Sequence, residues 1–292
     1  MRAVILTGPG EPEVVDLPDP HPTDGQLRIR MAGAAVNPAD LHVIDSGHTG
    51  VGLGLDVAGV VDEVGPGVTW FAVGDRVAAL QFPHAPHAVA GAAAEYVLVP
   101  AQDAARVPDG VDLLDAATVP CNSLTAAQLL ALLGPAAGRR LLVTGAAGAV
   151  GGYAVALAAQ DGWSVVALAR ASDAGFLTRA GAHDIITDLA QAPEVDAVFD
   201  TALLNEAALK PVRANGSYVG IFPGREPAPE RGIDVTSAVV FPDAAALTRM
   251  LALTEQGVLE ARRAGTVALA EAPAAYPRFR TGGLRGRLVL TP

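Results

Sequence analysis

One stretch of twenty residues, LLVTGAAGAVGGYAVALAAQ at 141–160, constrains this chain more than any other. Residues 141–144 are apolar and read as a short strand, and residues 150–160 read as a helix. Between them stand Gly145, Gly148 and Gly151. Glycines at that junction permit a tight turn, let the backbone approach a pyrophosphate, and let helix and strand pack closely. The helix start then presents free N–H groups and a partial positive charge to phosphate oxygens. Gly145, Ala146, Gly148, Ala149, Val150 and Gly151 are therefore the candidate phosphate-binding residues. A bare glycine triplet also suits a simple tight turn. The strand before it and the helix after it favour a dinucleotide.

The residues that follow repeat the pattern. Strands are expected at 164–169, 185–187, 195–199 and 218–221, with a short helix at 176–180. Alternating β and α elements predict a parallel sheet covered by helices on both faces. Ala- and Leu-rich helices are expected at 115–133 and 244–255. The first third differs. Apolar and polar residues alternate at 26–31, and short Val-rich segments at 57–64, 76–80 and 95–99 are separated by Gly, Pro and Asp. That spacing suggests a compact, barrel-like β unit, with a sandwich as the alternative. A last strand is expected at 287–290.

Which nicotinamide cofactor such a site prefers is set at the tip of its second strand. An NAD site places Asp or Glu there, about 20 residues after the glycines, against the ribose 2′-hydroxyl. Here the tip reads VVALARASD, with Ala169 and Arg170 in that place. Arg170 offers a planar fork suited to a 2′-phosphate, and Ser172 adds a hydroxyl. Asp173 lies a few residues late and is the argument for NADH. The missing strand-tip acid favours NADPH over NADH.

Composition excludes other classes. The net charge of −11 repels nucleic acid on average, and no Lys/Arg cluster offsets it. No apolar run reaches the roughly 18 residues of a membrane helix, and the amino terminus lacks the pattern of a secretory signal. A cytoplasmic protein is expected. Cys121 is the single cysteine, so neither an internal disulfide nor a cysteine-rich zinc site is available.

Several segments together resemble the medium-chain dehydrogenase/reductase superfamily in its zinc-independent quinone oxidoreductase-like branch. They are AAVNPADLHVIDSG at 34–47, LGLDVAGVVDEVGPGV at 53–68, FAVGDRV at 71–77, AAAEYVLVP at 92–100, the glycine loop, and LRGRLVL at 284–290. The resemblance runs nearly end to end, in the family's order. It implies an α/β protein: a GroES-like β-barrel domain at 1–117, completed by 262–292, and a Rossmann domain with a doubly wound parallel sheet at 118–261. A homodimer is implied as well. Zinc-dependent relatives hold the catalytic metal with Cys, His and Cys. Those positions fall here on Asn37, Leu55 and Cys121, which predicts no metal site.

Without a Lewis acid the natural hydride acceptors are already electron-poor: quinones, enones and enoyl thioesters. Negative charge would develop on the carbonyl oxygen, where a hydrogen-bond donor would stabilise it. The resemblance puts Asn37 at the substrate cleft, which makes its amide a candidate donor, with a structural cap or turn as the alternative. Asp40 is a candidate acid or the residue that fixes the Asn-Pro-x-Asp turn. His48 and His84 are candidate proton sources, with solvent as the alternative. Thr125 matches a family position near the nicotinamide. Gly220, Ile221 and Phe222 follow the fifth strand, and Asp200 and Thr201 end the fourth, at the carboxyl ends where such sheets bind ligands. The expected activity is NADPH-dependent reduction of a quinone or an activated C=C. An enoyl reductase of a polyketide pathway shares these residues. A structural or regulatory protein that binds NADPH without turnover is the reading from another class. The segments at 42–53 and 81–90 are short for the family, so substrate specificity does not transfer.

Overall fold

The computed structural model of the 292-residue chain describes residues 1–82 and 90–292. The chain forms two compact units. The first comprises Met1–Cys121, Pro242–Glu255 and Ala261–Pro292, and the second Asn122–Phe241 with Gln256–Glu260.

The first unit is built on antiparallel pairing, except that Arg263–Ala268 and Arg287–Thr291 run parallel. Its main sheet runs in the order Arg263–Ala268, Arg287–Thr291, Gln26–Ala35, Asp56–Val64, Arg76–Leu80, Ala104–Arg106. Gln26–Ala35 is the branch point. Its first half pairs with Tyr96–Pro100, and its end, at Ala34 and Ala35, pairs with Arg287–Thr291. Register shifts between Arg28 and Ile29 and between Met31 and Gly33 mark bulges, which bend a strand and increase its twist. Leu27, Ile29 and Met31 alternate into the core with Val57, Val61, Val97 and Val99. This is the period of two read from residues 26–31. A hairpin of Arg2–Gly8 and Glu11–Asp16 completes the unit.

The second unit holds six strands, all parallel, in the order Asp184–Ile186, Ser164–Leu168, Arg140–Thr144, Val195–Asp200, Val212–Gly220, Asp234–Ser237. In chain order this is 3-2-1-4-5-6, the doubly wound arrangement of dinucleotide-binding sheets. The direction of winding reverses between Arg140–Thr144 and Val195–Asp200, and ligands of such sheets bind in the crevice beside that reversal. Helix Ala149–Gln160 is buried at nine of its twelve positions, as a helix packed within a core must be.

One sequence expectation needs correction. The helix expected at 115–133 is two helices, Leu113–Ala116 and Pro120–Ala131. Asp112 caps the first, and Pro120, which lacks an N–H, starts the second. The last strand of the parallel sheet is Asp234–Ser237. Helix Ala244–Glu255 belongs to the first unit. There Glu255 accepts the N–H of Gly110 at 3.2 Å.

Candidate functional site

The second unit forms its glycine turn with no side chain in the way. Gly145 has φ of +56°, the left-handed region that disfavours a side chain. A Cβ on Gly151 would lie 2.3 Å from the Gly145 carbonyl oxygen, so only glycine lets the first helical turn fold against the loop. Gly148 is the N-cap of Ala149–Gln160 and offers no capping side chain. The N–H groups of that first turn have no acceptor within the helix. Ala149, Val150 and Gly151 thus frame a cradle of backbone donors at a dipole's positive end. A cradle that a single Cβ would fill fits a dinucleotide pyrophosphate.

Asp200 and its neighbours brace this turn. Asp200 is fully buried and accepts hydrogen bonds from the Thr144 hydroxyl at 2.5 Å, the Asn205 N–H at 2.8 Å and the Tyr218 hydroxyl at 3.1 Å. Burial and the adjacent Asp200 raise the Tyr218 phenol well above its ordinary value. The Thr201 hydroxyl donates to the carbonyl oxygen of Thr144 at 2.6 Å. Gly220 is buried at the end of the fifth strand, with Ile221 and Phe222 half-buried beyond it. The Arg225 guanidinium stacks over the Phe222 ring. Thr125 is half-buried in Pro120–Ala131.

At the tip of the second strand, Arg170 is 60% exposed and its Nε lies 3.4 Å from the Asp173 carboxylate, which is only 4% exposed. Asp173, the acid that argues for NADH, is thus withdrawn from solvent and paired with Arg170. Ser172 stands exposed beside it.

The first unit holds the other candidates in one buried polar cluster. Asn37 precedes helix Pro38–Asp45 and is 1% exposed. Its Nδ2 donates to Asp56 at 3.0 Å and to the Ala35 carbonyl at 3.3 Å, and its Oδ1 accepts from Arg287 Nε at 3.1 Å. Asp40 accepts the N–H of Asn37 at 2.7 Å and that of Gly54 at 2.8 Å. Asp56 also accepts the N–H of Cys121 at 2.7 Å. Burial pushes Asp40 up to about 6 against the pull of its two N–H donors. Burial likewise pushes Asp56 up to about 7, and the charge of Asp40 adds to it. His48 is exposed, its Nδ1 on the Ser46 hydroxyl. His84 lies outside the described residues.

Of the positions that carry zinc in metal-dependent relatives, Asn37 is committed to this cluster and Leu55 is an apolar, buried side chain. Among the described residues no group of three His, Cys, Asp or Glu side chains is arranged to hold a metal ion. No described helix is long and apolar enough to cross a membrane. Sequence reasoning missed Asp56, Tyr218 and Arg287. Asp56 sits in a Val-rich strand where one acid looks like solvent-facing polarity, and Arg287 is separated from Asn37 by 250 positions.

Residues 23–109 match the family model for the alcohol dehydrogenase GroES-like domain. The chain is 29% identical to the dehydrogenase orsE of Emericella nidulans over 76% of its length and 69% of the relative. It is 32% identical to the quinone oxidoreductase of Sus scrofa, over 63% and 58% of the two chains. It is 38% identical to the trans-enoyl reductase resD of Aspergillus sclerotiorum over 41% and 34%. The matches to these last two thus span little more than half and one third of the relatives. Among solved structures, the quinone oxidoreductase from Coxiella burnetii superposes with a TM-score of 0.87 at 26% identity, covering 100% of this chain and 99% of that one. A GroES-like segment at 23–109, a 3-2-1-4-5-6 parallel sheet and these similarities assign the chain to the medium-chain dehydrogenase/reductase superfamily, quinone oxidoreductase-like.

Proposed function

We propose that the chain is an NADPH-dependent, zinc-independent oxidoreductase that reduces a quinone or an activated C=C. The carrying observation is the pair at the second strand's tip: an exposed Arg170 beside a buried Asp173. When bound, NADPH supplies a hydride equivalent to an electron-poor acceptor. The glycine turn holds the pyrophosphate through backbone N–H groups. Arg170, with Ser172, holds the 2′-phosphate through charge-assisted hydrogen bonds. Thr125, Thr201, Gly220, Ile221 and Phe222 line the nicotinamide side.

Asn37 has both of its amide hydrogens engaged, so its role here is to hold the buried cluster and not to donate to a substrate oxygen. Asp40, bonded at both oxygens by backbone N–H groups, fixes the turn. His48, which is exposed, remains a candidate proton donor, with His84 the second. Zinc independence rests on the identities at positions 37 and 55: neither a committed amide nor a leucine ligates zinc.

The similarity to a trans-enoyl reductase favours a second reading, reduction of an enoyl thioester at the same residues. We also propose a homodimer. Strand Asp234–Ser237 is the last of its sheet, and Val239 and Phe241 beyond it are exposed.

The test is NADPH and NADH oxidation, followed by absorbance, with a benzoquinone, a naphthoquinone, an alkyl enone and crotonyl-CoA. Turnover that favours NADPH is expected, and the preferred acceptor separates the two chemistries. Tight NADPH binding with no turnover on any acceptor would replace the enzyme with a non-catalytic NADPH-binding protein.

A further inference from the structure

Asp200 closes the fourth strand without exposing any surface. A carboxylate is retained in such a place only when donors replace its hydration. Three do, and they come from three different elements. Thr144 ends the first strand, Tyr218 belongs to the fifth, and Asn205 lies in the turn after the fourth. A carboxylate accepts and never donates, so the Thr144 hydroxyl must give its hydrogen to Asp200. That leaves its lone pairs for the Ala202 N–H, which donates to it at 3.1 Å. The Thr201 hydroxyl meanwhile caps the carbonyl oxygens of Thr144 and Gly145, at 2.6 and 3.4 Å.

The turn that makes these contacts is strained. Leu203 and Asn205 have φ of 56° and 51°, the left-handed region where a residue other than glycine stays only if its surroundings hold it. The Asn205 N–H is held by Asp200 itself. A Cβ on Gly145 would lie 2.7 Å from the Thr201 hydroxyl, so the turn presses directly on the first glycine of the loop. The Thr144 carbonyl, where the loop leaves the strand, is held by Thr201, and the turn that carries Thr201 is itself held by Asp200 through the Asn205 N–H and by Thr144 through the Ala202 N–H.

We propose that Asp200 is a positioning residue for the cofactor: through Thr144 and the turn at 201–205 it orients the glycine loop, and so sets the affinity for the dinucleotide without touching it. This rests on the reading that the loop binds NADPH. Two effects of Asp200 oppose each other, which makes the idea decidable. By charge alone a carboxylate near a pyrophosphate lowers affinity, so removing it would tighten binding. By positioning, removing it loosens binding.

The experiment is calorimetric titration of NADPH into wild type, Thr144→Val, Thr144→Ser and Asp200→Asn, with kcat, KM and the thermal midpoint measured on each. Valine keeps the shape and removes the donor, and serine keeps the hydroxyl. Thr144→Val, which removes both the bond to Asp200 and the bond from the Ala202 N–H, is expected to weaken NADPH binding about tenfold, with kcat within about twofold of wild type. Thr144→Ser is expected to restore wild-type affinity, and Asp200→Asn to bind more weakly than wild type. A purely structural part would lower the thermal midpoint and leave the dissociation constant of the folded fraction unchanged, and that result overturns the proposal. Tighter binding by Asp200→Asn overturns it as well. If Thr144→Val does not fold, the serine and asparagine variants decide between the same outcomes. Wild type that binds neither NADPH nor NADH brings down the reading of the loop, and this proposal with it.

Discussion

Replacing Arg170 with alanine removes the guanidinium that we assign to the 2′-phosphate. Arg170→Ala is expected to raise the KM for NADPH about ten- to a hundredfold, the range of a charge-assisted contact. The KM for NADH should stay within about twofold. Equal losses for both cofactors would show that Arg170 does not discriminate between them. The case for this residue is local in the sequence: it follows a strand whose tip lacks an acid. The cluster around Asn37 was only half legible. The Asn-Pro-x-Asp turn is local, and the structure keeps it, with Asp40 accepting the Asn37 N–H. The groups that occupy the Asn37 side chain, Asp56 and Arg287, come from separate strands, and no local pattern joins them. In a titration followed by carbon NMR of aspartate-labelled protein, Asp40 and Asp56 are expected to ionise near about 6 and about 7. Midpoints at ordinary carboxylate values would show that water reaches the cluster.

At the scale of elements, the glycine loop provides an internal comparison. A Cβ on Gly151 meets backbone, the Gly145 carbonyl oxygen at 2.3 Å, whereas a Cβ on Gly152 meets the far end of a side chain, Phe176 Cζ at 2.7 Å. A ring can move where a carbonyl cannot. Gly151→Ala is therefore expected to destabilise by about 1–3 kcal/mol, typical of overpacking, and to abolish NADPH binding. Gly152→Ala should cost less and still bind. Chemical denaturation and NADPH titration of both variants check this, and equal effects would count against it. Beyond the last strand, the Gln128 side chain holds the backbone of Phe241 at both its N–H and its carbonyl, at 3.0 and 2.8 Å, while the Phe241 ring is 64% exposed. If a second copy covers this edge, Phe241→Asp should halve the mass measured by light scattering. Regular α/β alternation made the second unit's elements readable. The break before Pro120 was harder to see, because an Ala- and Leu-rich stretch looks helical throughout and a proline at a helix start suits the helix after it.

For the whole molecule, the two raised carboxyls make stability depend on pH in a direction opposite to the usual acid denaturation. Folded, Asp40 and Asp56 hold protons that the unfolded chain, with a value near 3.8, has already released. Stability from these neutral forms is complete below that unfolded value. It is lost as the pH rises through about 6 and then about 7. The urea midpoint should therefore fall between about pH 5 and about pH 8. A midpoint that rises over that interval would show that the cluster is ionised throughout. Glu95 acts in the other direction. Its hydrogen bonds from Arg2 hold it below the ordinary value, so its contribution disappears only as the pH falls.

The discontinuity of the first unit also bears on how the chain acquires its structure during synthesis. The sheet of the second unit lies wholly within Arg140–Ser237, and no part of it waits for a later segment. The first unit is different: the end of Gln26–Ala35 lacks its neighbour, and Asn37 lacks Arg287, until the strand Arg287–Thr291 has left the ribosome. Domains emerging at about 5–20 residues per second generally fold as units. The parallel sheet is thus complete while the first unit still has an open strand edge and lacks the guanidinium that Asn37 accepts. For that interval the segment that precedes the sheet in the chain is the one exposed to chaperones and to aggregation.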